Sequence, residues 1–96
     1  LDMKELAPKT FALLQNYPNP FNPSTEIKFS VEQNGPATLK IYNVLGQEVA
    51  TLFNDAAEAG QYYKVKLDAN NFASGLYFYK LESGQRTELK KMLLLK

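Results

Sequence analysis

Apolar and polar residues alternate with a period of two along most of this chain. Over residues 26–31, Ile27, Phe29 and Val31 fall on one face and Glu26, Lys28 and Ser30 on the other, as in a strand buried on one side. After a turn at Asn34, Gly35 and Pro36, residues Ala37, Leu39 and Ile41 oppose Thr38, Lys40 and Tyr42. Residues 43–46 read NVLG, a type I turn led by Asn43 with Gly46 in the left-handed position, so the chain returns through a strand over 47–53. Residues 54–60 form a longer loop, with one helical turn expected at 56–59. Tyr63, Val65 and Leu67 alternate with Lys64, Lys66 and Asp68 in a further strand. Residues 76–82 are apolar on both faces at their start, which predicts a central strand covered on both sides. Ser83, Gly84, Gln85 and Arg86 make a hairpin turn of type II′, with Gly84 first of the central pair. The last strand covers 87–96, and its broken alternation predicts a bulge at Lys90, Lys91 and Met92.

Before these strands, residues 1–9 read as a linker and 11–15 as a short first strand. Between them and residue 26 lies NYPNPFNPST, residues 16–25, where Pro18, Pro20 and Pro23 fix φ and asparagines can close turns. This segment is expected to be stiff and ordered. About seven short strands with a turn signal every 8–12 residues and no sustained helical period predict an all-β antiparallel sandwich.

Length and composition narrow the chemistry. Ninety-six residues make one domain, burying about 60–65% of the unfolded chain's surface. Eleven basic and ten acidic residues leave a net charge of +1, and the only arginine is Arg86, so the chain lacks the basic excess of a nucleic-acid binder. No apolar run reaches the ~20 residues of a membrane span, and no secretory signal opens the sequence. Because residue 1 is Leu, the chain is expected to be part of a longer protein, with any export signal upstream. Without His or Cys there is no neutral-pH imidazole base, no serine triad and no thiolate metal site. Glu26, Glu48, Glu82 and Glu88 sit on polar strand faces and read as solvated. Asp55 with Glu58, or Asp68 with Asn70 and Asn71, could offer oxygens to calcium, but turn chemistry accounts for them better. No catalytic, cofactor or metal site is therefore assigned. Among the tyrosines, Tyr77 and Tyr79 share a face with Leu81 and belong to the core, whereas Tyr62, opposite Tyr63, is the exposed candidate for stacking on sugar rings.

Four segments in this order, NYPNPFNPST at 16–25, IYNVLGQEV at 41–49, ASGLYFY at 73–79 and KKMLLLK at 90–96, resemble the C-terminal sorting domain of the type IX secretion system. The resemblance runs from about Leu6 to the end. It implies an Ig-like sandwich, similar to the Ig-like domain of the flagellar hook-capping protein. It also implies a non-catalytic role: a tail that takes an upstream cargo from the periplasm to the cell surface or exterior. The implied partners are the type IX translocon, a sortase-like cell-surface protease and the cargo domain. The residues carried over are Pro18, Asn19 and Pro20 of the turn, Gly46 of the hairpin, Gly75 before the central strand, and Lys91, Met92, Leu94, Leu95 and Lys96 of the tail. The terminal strand is the expected contact, because a sheet edge can pair with a partner's backbone. The rival reading is a carbohydrate-binding or spacer module attached to a secreted enzyme.

Overall fold

A computed structural model describes residues 9–96 and shows seven strands in two antiparallel sheets. The strands are β1 (Ala12–Leu13), β2 (Ser24–Ser30), β3 (Gly35–Tyr42), β4 (Glu48–Ala57), β5 (Tyr63–Asp68), β6 (Gly75–Ser83) and β7 (Arg86–Leu94). One sheet has the order β1-β2-β5 and the other β4-β3-β6-β7. In the lettering of Ig-like sandwiches these are A-B-E and C′-C-F-G. Apart from Lys9, the expected linker lies outside the described residues.

The predicted alternation becomes the core. Ile27, Phe29, Leu39, Ile41, Leu67, Tyr77, Tyr79 and Leu81 are buried, Val65 is half-buried, and side chains of both sheets join in one apolar cluster. Phe29, Phe53 and Tyr63 pack ring against ring, with centroids 5.2–5.4 Å apart. At the start of β6 the Tyr77 hydroxyl donates to the Ala73 carbonyl at 2.7 Å, four residues upstream. This is the tyrosine corner of Ig-like sandwiches, and it fixes how the chain enters β6 from β5.

Three expectations need correction. No helical turn forms at 56–59: β4 runs through Ala57, whose partner is Gly35, so ladder hydrogen bonds override the alanines' helical preference. The register of β7 is continuous, with no bulge at Lys90, Lys91 or Met92. Glu88 and Lys90 point to the inner side as Met92 and Leu94 do, but near the sheet's margin, where a charged side chain still reaches water. The register shifts fall instead between β3 and β4, at Leu39/Lys40 and Ile41/Tyr42, leaving Leu52 and Val49 as the extra residues. Finally, β6 is central within its sheet but covered on one face. Its outer side chains include Leu76, 37% exposed, and a half-buried Phe78.

Both turn expectations hold. Gly84 has φ +60° between the paired Ser83 and Arg86, as type II′ requires. Gly46 has φ +79°, and its N–H donates to the Asn43 carbonyl at 3.0 Å. The Asn43 side-chain oxygen accepts from the N–H groups of Leu45 and Gln47 at 2.9 and 3.0 Å. A Cβ added at Gly46 would meet nothing within 4 Å, so Gly46→Ala should cost only the left-handed backbone strain, about 1–2 kcal/mol. An unshifted urea midpoint would contradict the turn.

Candidate recognition surface

β7 is the edge of the four-stranded sheet, and its outward-pointing backbone groups belong to Thr87, Leu89, Lys91, Leu93 and then Leu95. An open edge of this kind invites pairing with another chain. From Lys91 onward the protein covers it with its own residues 15–21. Gln15 Nε2 donates to the Lys91 carbonyl at 2.8 Å, across 76 positions of sequence. The Leu93 N–H donates to Asn19 Oδ1, and the Phe21 N–H donates to the Leu93 carbonyl, both at 3.0 Å. The Leu95 N–H then donates to the Phe21 carbonyl at 3.0 Å. Phe21 thus forms a parallel bridge with Leu94, and its ring is buried in the core.

This strap is held from behind as well. Tyr79 crosses the core so that its hydroxyl accepts from the Asn16 N–H at 2.9 Å and donates to the Leu14 carbonyl at 2.8 Å. Burial pushes the Tyr79 phenol up to about 12, against the bond from Asn16, with a smaller upward push from Glu88. Buried Asn16 donates its amide to Thr25 Oγ1 and to the Pro18 carbonyl, each at 3.1 Å, and the Thr25 hydroxyl donates to that same carbonyl at 2.8 Å. Pro18 and Pro20 carry no N–H, so at these positions the strap cannot donate to a further strand.

The structure brings most of the sequence-predicted residues to one end of the sandwich. Pro18, Asn19 and Pro20 lie exposed on the strap beside exposed Lys91, Leu95 and Lys96. Gly75 opens β6 opposite Leu94, and next to it the Lys96 N–H donates to Ser74 Oγ at 3.0 Å while Lys96 Nζ donates to the Asn70 carbonyl at 2.6 Å. Met92 and Leu94, 1% and 0% exposed, are core side chains and present no surface. Gly46 is at the same end but two strands away, in a hairpin whose tip exposes Val44 and Leu45. Sequence reasoning missed Gln15, Asn16, Phe21 and Leu93. A lone aromatic inside a Pro/Asn segment was the available signal for Phe21, while the other three act through backbone or through contacts remote in sequence.

Of the candidate calcium oxygens, Asp55 Oδ1 lies within β4 and accepts from the Ala56 N–H, while Asp68 Oδ1 at the end of β5 accepts from the Asn70 N–H in the turn that follows. No helix among the described residues is long and apolar enough to cross a membrane. Tyr62 is exposed, with the Lys28 ammonium 4.9 Å from its ring centroid.

No curated protein matches the chain. A family model described as the secretion system C-terminal sorting domain matches residues 15–95, from Gln15 at the start of the strap to Leu95 at its last bond with the final strand. This chain belongs to that family, the C-terminal sorting domains of type IX secretion.

Proposed function

We propose that this chain is the non-catalytic sorting tail of an exported protein, with residues 1–9 linking it to a cargo domain upstream. The type IX translocon reads it on the periplasmic side, the cargo passes to the cell surface or exterior, and a sortase-like surface protease meets it there. Family membership supports export to the surface or outside. The observation that carries the finer reading is the fastening of residues 15–21 to 91–95, which turns two remote motifs into one surface with fixed geometry. A partner meeting paired, rigid groups loses little of its binding energy to ordering them. On this reading the reader contacts Pro18, Asn19, Pro20, Lys91, Leu95 and Lys96, while Met92 and Leu94 hold them in place. Gly46 and Gly75 set the backbone around that end.

The test is fusion to a periplasmic reporter that has its own signal peptide, in a host with the type IX apparatus. The reporter should reach the surface with the domain and stay in the periplasm without it. Periplasmic retention of the intact fusion would refute the reading.

A further inference from the structure

The outer face of the three-stranded sheet carries a cationic feature that lies apart from β7. On that face Lys28 of β2 stands directly opposite Lys64 of β5, and Lys66 follows two residues along the same strand. Like charges directly opposed across neighbouring strands repel. Among the described residues none of these three lysines forms an ion pair, although Glu26 stands opposite Lys66 in the ladder. On the other sheet Lys40, Lys80 and Lys90 are each neutralised, by Glu48 at 3.2 Å, Glu82 at 3.1 Å and Glu88 at 3.8 Å. The fold thus gathers three lysines without ion pairs on this face, with Glu26 as their acidic neighbour, whereas among the described residues of the other sheet only Lys91 of β7 is without one.

Exposed tyrosines bracket this cluster. Tyr17, 82% exposed, pairs with Glu26 and so shares its face, while Tyr62 precedes the strand at the other end under the Lys28 ammonium. Tyr62 and Lys66 are separated by about 13 Å at ~3.3 Å per residue. We propose that this face binds an acidic polysaccharide, its carboxylate or other acid groups meeting Lys28, Lys64 and Lys66 and its flat sugar faces covering Tyr17 and Tyr62. Lysine acts as a point charge that accepts an acid group from many directions, which suits an irregular polymer. Nucleic acid fits poorly, because the net charge is +1 and the one arginine, Arg86, is paired with Glu32. An acidic peptide would use the lysines but leave both rings without a flat partner. Lys28, Lys64, Lys66 and Tyr62 lie outside the strap and β7, and Tyr17 is the one member that the strap supplies.

Affinity electrophoresis of the chain through polygalacturonate, uncharged dextran and polyglutamate tests it. Retardation is expected in polygalacturonate alone, and it should vanish at about 1 M salt, where the Debye length is about 3 Å. The double variant Lys28→Gln/Lys64→Gln, which relieves repulsion and should melt no lower than the parent, should weaken binding about tenfold or more, as should Tyr62→Ala. Lys40→Gln/Lys90→Gln removes the same charge from the other sheet and should leave binding unchanged. Equal loss in both double variants, retardation by dextran, or polyglutamate binding as tight as polygalacturonate would overturn the proposal.

Discussion

Phe21→Ala should cost about 3–5 kcal/mol, the usual range for truncating a buried aromatic. That is a large part of the 5–15 kcal/mol that typically holds a domain together. The ring is 2% exposed, and the backbone on either side of it bonds to Leu93 and Leu95. Losing the ring therefore empties a core position and loosens the cover on β7 together. Urea denaturation should show the lower midpoint, and the Leu95 amide, which donates to the Phe21 carbonyl, should exchange faster in deuterated water. A loss below about 1 kcal/mol, closer to a surface substitution, would mean the strap does not depend on this anchor.

Tyr79→Phe should be the other large loss, although it removes a single oxygen. That oxygen serves the Asn16 N–H and the Leu14 carbonyl, and each buried group left without a partner costs about 1–3 kcal/mol. The same phenol gives the domain a pH signature. Its pKa is raised by burial from 10.0 to about 12 in the folded protein. Below pH 10 both states keep the proton and the contribution is complete. Between pH 10 and about 12 the unfolded chain releases its proton first, so stability falls as pH rises, by up to ~1.4 kcal/mol per unit. The difference in unfolding free energy between parent and Tyr79→Phe should therefore shrink from pH 10 upward, and a constant difference would contradict the buried phenol.

Where strands carried a simple inside–outside rhythm, as in β2, β3 and β5, their faces were legible from the sequence because one face had to be apolar. The rhythm misled where both choices at a position were apolar or both were charged. Val49 and Leu52 are the extra residues of the β4 bulges, but they sit among Ala50 and Phe53, so no break shows in the letters. Lys90 looked like a fault in β7 because an inward lysine is unexpected; its place at the sheet's margin, beside Glu88, makes it regular. The stiffness expected of residues 16–25 agrees with their dense hydrogen bonding, whereas their position over β7 was not legible. That position depends on bonds such as Asn19 to Leu93, spanning 74 residues, and on Asn16 meeting a hydroxyl from β6. No local propensity encodes such contacts. Of the candidate site, the sequence singled out the motifs, and the fold places most of them at one end of the sandwich.

The central claim is that the strap and the final strand together form the surface that is read. The direct measurement is surface delivery of a fused reporter by two sets of folded variants. One set, Lys91→Glu with Leu95→Ser, changes exposed side chains at the strap end of the sandwich. The other, Glu32→Ala with Gln85→Ala, changes exposed side chains at the opposite end, around the β6–β7 turn. Circular dichroism and urea midpoints should show both sets folded. The account predicts that the first set leaves the reporter in the periplasm and the second delivers it as the parent does; delivery by both, or loss in both, would contradict it.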